Sequence, residues 1–250
     1  MLNEDIELNL ASRMRRIFPP GILPHGLVRT LLFILRVLFS HRRMASDYLK
    51  YNQIRKLQIG SGFHFLPGWL NTDLNPREGI MTMDATKRFP FGDCTFDYVF
   101  TEHCIEHFEY RVGVQIVQEC YRVLKPGGRL RISTPDLRFL IELYDDNKTE
   151  LQKRYIAMEI DNFIRYAKSY TDTFVINNFV RAWGHKFIYD YKTLKSLLKN
   201  CGFGDVERYK VGDSHDENLQ GLEAAMGSDF IILESMAVEA MKPSVSSFSK

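Results

Sequence analysis

Apolar positions along this chain fall into short strand-like runs in its first half and helical stripes in its second. In Lys56-Leu-Gln-Ile-Gly-Ser-Gly62, Leu57 and Ile59 predict a short buried strand running into a glycine loop. Gly60 and Gly62 allow a sharp turn and the close approach of a ligand to backbone. A second run, Trp69-Leu-Asn-Thr-Asp73, and a third, Ile80-Met-Thr-Met-Asp84, each end on a carboxylate. Residues 63–68 leave room between the first two runs for a loop or a single turn only. Phe96-Asp-Tyr-Val-Phe predicts a fourth strand and 129–134 a fifth, after which 137–187 reads as inserted helices. An amphipathic helix over 191–200 stopped by Gly202, a strand over 205–209 and a last strand over 229–237 close the pattern. The polar stretch 212–223 is a loop long enough to reach a pocket rim, and 243–250 is expected to be a disordered end.

The first 50 residues form a separate module. Residues 11–43 hold seven arginines and no acid, interrupted by the Pro19-Pro-Gly-Ile-Leu-Pro24 turn. The apolar run 27–39 is too short and too interrupted to span a membrane, and is not placed like a signal peptide. Arg29, Arg36 and Arg43 recur every seven residues and share one helix face. Two readings stand: a basic amphipathic helix on an anionic membrane surface, or a helix packed over the catalytic domain's pocket. The domain limits are therefore 1–50 for the extension, 51–240 for the main domain and 241–250 for the tail.

With 250 residues and 45% apolar content the chain can bury one large core. A net charge of +2 gives no electrostatic case for a nucleic-acid partner, and none is expected. Cys94, Cys104, Cys120 and Cys201 make neither a C-x-x-C pair nor a zinc spacing, which suits unpaired thiols in the cytoplasm, with the inner membrane face as a second location.

The glycine loop followed by two spaced acids suits an adenosyl cofactor. Asp73 can accept both ribose hydroxyls, and Asp84 can accept from an adenine amino group. A dinucleotide loop would need a third glycine where Phe65 stands and a later acid, so a cofactor without phosphates fits better. With Phe96-Asp-Tyr-Val-Phe and Arg122-Val-Leu-Lys-Pro-Gly-Gly128, the chain resembles the class I S-adenosylmethionine-dependent methyltransferases of the type 11 group, from about residue 56 to 209. It is closest to a bacterial branch with Leu66-Pro-Gly-Trp69 and Trp183-Gly-His-Lys-Phe-Ile-Tyr-Asp190. The resemblance implies a Rossmann-like fold: a mostly parallel seven-stranded sheet with helices on both faces, a shortened first helix and a helical insertion after strand 5. It implies S-adenosylmethionine as cofactor, with Gly60, Ser61 and Gly62 at its methionine part and Asp73 and Leu74 at the ribose. Asp84 and Ala85 would lie at the adenine, and Thr101, Glu102 and His103 on the far side. Many relatives carry an acid where this chain has Gln58, which shifts part of the amino-group contact elsewhere, with Glu102 as the candidate.

Methylation of a hydroxyl benefits from a base titrating near neutrality, and histidine suits that task. His185 is the first candidate and His107 the second, the alternative for each being a structural histidine. His25, His41, His64 and His215 have no partner that spacing identifies and read as surface groups. His103, Glu106 and His107 resemble part of a Glu-x-x-Glu-His metal cluster of some methyltransferases. His103 replaces its first acid and spacing offers no firm fourth ligand, so no metal is expected. The insertion is rich in aromatics, which fill a small core, with Asn177, Asn178, Arg181, Trp183 and Tyr189 as candidates to line an acceptor pocket. The sequence thus reads as a methyltransferase for a small molecule or glycan intermediate, most simply at oxygen. The alternative is a non-catalytic S-adenosylmethionine-binding or membrane-associated scaffold on the same fold.

Overall fold

Seven strands form one sheet in the order β3-β2-β1-β4-β5-β7-β6. The computed structural model describes residues 43–75, 77–223 and 228–244. The chain divides into two units, Met1–Asp47 and Tyr48–Lys250. Most of the basic extension, with the apolar run 27–39, His25 and His41, lies outside the described residues, as does 245–250 of the expected tail.

The strands are β1 (Lys56–Ile59), β2 (Leu70–Asp73), β3 (Met81–Thr82), β4 (Phe96–Glu102), β5 (Leu124–Pro135), β6 (Gly204–Tyr209) and β7 (Ser235–Met241). The first five run parallel and β7 runs antiparallel to both its neighbours. Leu57, Gln58 and Ile59 are all buried, as a central parallel strand covered on both faces requires. Only turns join β1 to β2, as the short spacing predicts.

On one face lies α1 (Tyr110–Val123), whose stripe of Gly113, Ile116, Val117, Cys120 and Val123 is buried. It packs against β5 and α5 (Tyr191–Asn200). Gly113 is required there: a β-carbon would run into the Tyr189 hydroxyl. On another part of the core Trp69 meets Phe100 edge-on at 6.1 Å, and Leu66, Leu219 and Leu222 complete the cluster. The polar loop 212–223 is thereby anchored through buried leucines, each worth about 1.5–3 kcal/mol. Arg131, fully buried on β5, pins it further by donating to Glu223, to Glu239 (both 2.7 Å) and to the Asp213 carbonyl (2.9 Å).

The insertion after β5 holds α2 (Leu137–Leu143), α3 (Glu150–Phe163) and α4 (Asp172–Arg181). Asp136 caps α2, a Thr149–Gln152 capping box starts α3, and Asp190 caps α5. These helices share their own cluster, centred on Phe139, Leu143, Tyr155, Ile160, Val175 and Phe179.

One predicted strand is corrected. Residues 229–234 form a helix, α6 (Asp229–Glu234), and the strand begins only at Ser235 and runs on to Met241. The reason lies in β5, whose pairing ends where Pro135 meets Ser235, so residues before Ser235 have no strand beside them. At the other end Lys242 still exchanges hydrogen bonds with Gly127 and Gly128, past the expected limit at 240.

Candidate active site

The strand order reverses between β1 and β4, which opens a crevice at the carboxyl ends of the parallel strands. Gly60 (φ +66°) and Gly62 (φ +55°) turn the chain there in the left-handed region. A β-carbon on Gly60 would lie 2.5 Å from Cys104 Sγ, so this turn needs glycine for space as well as conformation. Asp73, at the end of β2, accepts from Gly62 N–H through Oδ2 and from Asn75 N–H through Oδ1, both at 2.8 Å. It ties the two loops together and keeps lone pairs for further donors. Met83 N–H donates to the Asp73 carbonyl (2.8 Å), which brings the start of the β3 loop to the same end of the sheet. There Asp84 accepts from the Thr86 hydroxyl (2.6 Å) and amide (2.9 Å), bonds that hold its pKa below the ordinary carboxylate value. Leu74 is exposed, and Ala85 is half-buried. Two buried polar atoms beside the glycine turn, Gln58 Oε1 and Ser61 Oγ, have no hydrogen-bond partner among the described residues. Gln58 thus offers an acceptor where relatives carry an acid, without the charge.

Across the crevice, Thr101 is buried and Glu102 Oε2 lies 3.1 Å from His64 Nδ1. His64 is therefore not the partnerless surface group its spacing suggested, because the loop after Gly62 folds it back onto β4. His215, likewise expected to be isolated, packs its ring 5.3 Å from that of Tyr209. His103 adopts φ +43°, a conformation costly for a side chain-bearing residue. Its Nδ1 sits 3.4 Å from Glu106 Oε1 and its Nε2 3.1 Å from Ser235 Oγ. Burial disfavours the charged ring, but Glu106, with Glu234 and Glu102, outweighs it and raises the His103 pKa.

The 3₁₀ turn Ile105–His107 follows directly, with the Glu106 side chain fully buried. Trp183 (φ +53°) and Gly184 (φ +83°) bend the chain after α4, and the amides of Lys186 (2.8 Å) and Phe187 (3.2 Å) both donate to the Glu106 carbonyl. This stitching brings His185 beside His107, ring centroids 5.2 Å apart. His185 Nδ1 lies 2.7 Å from the Phe179 carbonyl. A carbonyl only accepts, so Nδ1 carries the proton and Nε2 keeps its lone pair. Burial lowers the His185 pKa below its usual 6.5, against the opposing pull of that carbonyl.

Of the other acceptor candidates, Trp183 lies beside His185, ring centroids 5.7 Å apart. Trp183 is 44% exposed and packs edge-on against Phe163 and Phe179. Asn177 donates to Thr173 O one turn back, Asn178 is half-buried with its amide nitrogen unpartnered among the described residues, and Arg181 is exposed. Tyr189 is corrected: it is fully buried against Phe187 and the gap left by Gly113, a core residue rather than a pocket wall. Glu106 entered the sequence reading only through the metal-cluster resemblance and not as an expected site residue. Its signal was an acid inside an otherwise apolar Cys104-Ile105 turn directly after a buried strand.

Residues 68–132 match the type 11 family described as a methyltransferase domain. The chain is 30% identical over 126 residues to the ubiquinone/menaquinone biosynthesis C-methyltransferase of Blochmanniella floridana, covering 49% of this chain and 44% of that protein. It is 32% identical over 128 residues to the demethylmenaquinone methyltransferase of Clavibacter sepedonicus, covering 50% and 46%. The chain thus spans less than half the length of these curated relatives. Among solved structures, a SAM-dependent methyltransferase from Archaeoglobus fulgidus aligns over 82% of this chain and 94% of its own at 19% identity, with a TM-score of 0.46. The match over residues 68–132, together with a parallel sheet closed by an antiparallel seventh strand, gives the chain the fold of the class I S-adenosylmethionine-dependent methyltransferases, and the matched segment is similar to the type 11 group.

Proposed function

We propose that the protein methylates a hydroxyl of a small molecule or glycan intermediate, with the His107–His185 pair at the reacting end. The observation that carries this reading is the His185 ring, fixed by Phe179 O through Nδ1 so that Nε2 keeps its lone pair, and packed beside the ring of His107. The cofactor supplies a methyl group on a positively charged sulfur. Gly60 and Gly62 admit it close to backbone, and the unpartnered Gln58 Oε1 and Ser61 Oγ suit its ammonium and carboxylate. Asp73 receives the ribose hydroxyls beside Leu74, Asp84 and Ala85 border the adenine, and Thr101, Glu102 and His103 close the far side. His185 Nε2 takes the proton as the acceptor oxygen attacks, and alignment of the two reactants supplies most of the rate. Half-exposed rings such as Trp183 and Phe163, packed edge-on, suit a pyranose face.

The test is release of S-adenosylhomocysteine from the full chain with sugar, small alcohol and phenol acceptors. The account expects turnover that His185→Ala lowers by at least about 100-fold. It also expects an acid limb centred below pH 6.5, since protonation removes the base and burial lowers its pKa. Cofactor binding without turnover on any acceptor favours the non-catalytic reading. The relatives' names favour a second reading, carbon methylation of a lipophilic ring, which NMR of the product distinguishes by the position of the new methyl group. For residues 11–43 we propose peripheral contact with an anionic membrane face, lost on their deletion in a low-salt liposome assay. Among the described residues no helix is long and apolar enough to cross a membrane.

A further inference from the structure

We infer that Glu106, His107 and His185 bind a divalent transition metal of the zinc class, with a fourth position left for the acceptor's oxygen. One ligand atom from each residue lies within 4.8 Å of the other two. That spread needs only small side-chain rotations to close on a shared ion. Two nitrogens and a carboxylate oxygen suit zinc, cobalt or manganese rather than magnesium, and three protein ligands leave a four-coordinate ion one open position.

Three further observations point to an ion. The Glu106 side chain is fully buried, and its Oε1 accepts no aligned hydrogen bond among the described residues, although His103 Nδ1 stands 3.4 Å away. A buried carboxylate that faces only the loosely aligned His103 ring through this oxygen is stabilised further by a cation. Its other oxygen accepts from Thr134 Oγ1 at 3.0 Å, which fixes the carboxylate's orientation. His185 has the arrangement of a metal ligand's outer shell: Nδ1–H directed at a carbonyl, which leaves the Nε2 lone pair for a metal. The left-handed Trp183 and Gly184, with the double amide contact to the Glu106 carbonyl, hold the two halves of the triad in place from chain segments far apart in sequence.

The inference rests on the hydroxyl-methylation reading and modifies one step of it. With the ion bound, His185 Nε2 is a ligand rather than a base. The acceptor hydroxyl coordinates, loses its proton to solvent, and its oxygen then forms the O–CH₃ bond as the S–CH₃ bond breaks and the cofactor leaves as a neutral thioether. The metal lowers the hydroxyl's pKa in place of the histidine.

The test is titration of the chelator-treated full chain with Zn²⁺ and Co²⁺ by calorimetry and visible spectroscopy, with Mg²⁺ as control. The inference predicts one equivalent bound and an intense tetrahedral-type Co²⁺ spectrum. His185→Ala and His107→Ala should each weaken binding by at least about 100-fold, and His185→Asp should restore part of it. Circular dichroism and thermal unfolding verify that each variant folds. Absence of Zn²⁺ and Co²⁺ binding, or affinities unchanged in both alanine variants, overturns the inference. Full methyl transfer by the metal-stripped protein also overturns it while leaving the methyltransferase reading intact. Metal binding as predicted in a protein that binds no S-adenosylmethionine supports the metal site and rejects that reading instead.

Discussion

Replacing Gly60 by alanine tests whether the glycine turn is shaped by the residue behind it. Two costs add in Gly60→Ala. The φ of +66° is worth about 1–2 kcal/mol for a residue with a β-carbon, and the new carbon would stand 2.5 Å from Cys104 Sγ. Overpacking of that kind costs about 1–3 kcal/mol, for a total of about 2–5. Cys104 cannot move aside freely, because it leads into the turn that carries Glu106 and His107. Its thiol is buried, which pushes its pKa up to about 12 and keeps it neutral. In a Cys104→Ala background the sulfur is gone, but Cys104 Cβ still stands 3.1 Å from the new carbon, so relief is partial. Urea unfolding of the four proteins should give a coupling of about 1–2 kcal/mol, with Gly60→Ala costing less when Cys104 is alanine. The same variants should lose S-adenosylhomocysteine affinity in the order of their strain. A Gly60→Ala cost below about 1 kcal/mol, or costs that add within about 0.5 kcal/mol, would refute this account of the turn.

Other consequences follow from buried charge. Glu159 is almost fully buried, with one oxygen unpartnered among the described residues; burial, with Glu234 nearby, raises its pKa to about 7. A raised acid favours the protonated fold, so stability is full below the unfolded value near 4.5 and declines as pH rises through about 7. Glu159→Gln should therefore raise the unfolding free energy from urea titration at pH 8, by about 1–3 kcal/mol, and leave it nearly unchanged at pH 4; equal effects at both would contradict the assignment. Arg131→Met leaves Glu223 buried without its cation and Glu239 with only the longer Arg129 contact at 3.9 Å, and should cost about 3–5 kcal/mol in thermal or urea unfolding. If Glu223→Gln and Glu239→Gln fail to recover part of that loss, the triad is not what anchors the 212–223 loop.

Much of the cofactor half was legible because local pattern and chemistry coincide there. Leu57 and Ile59 flanking Gln58, then two glycines, then acids closing the next two runs, encode the crevice within thirty residues or so of chain, and each of those positions lies at the same end of the sheet. The strand predicted over 229–237 failed because apolar residues 230–233 carry no sign of where their partner strand stops; that limit is set by Pro135, far away in sequence. Tyr189 was misread for a similar reason: an aromatic among aromatics gives no clue that Gly113 leaves it a slot in the core. Glu106 and the His64–Glu102 contact depend on loops folding back, which neither periodicity nor spacing reports. The pairing of His107 with His185 has the same origin, although each was a candidate alone.

The central claim, a cofactor crevice built on the Gly60 turn and Asp73, is tested most directly by calorimetric titration of the full chain with S-adenosylmethionine, with NAD and Asp73→Ala as controls. The account predicts saturable binding at one site, absent for NAD and weakened at least about 10-fold in Asp73→Ala, since each hydrogen bond to a charged group is worth about 1.5–3 kcal/mol. No saturable binding, or an affinity unchanged in Asp73→Ala, would contradict it.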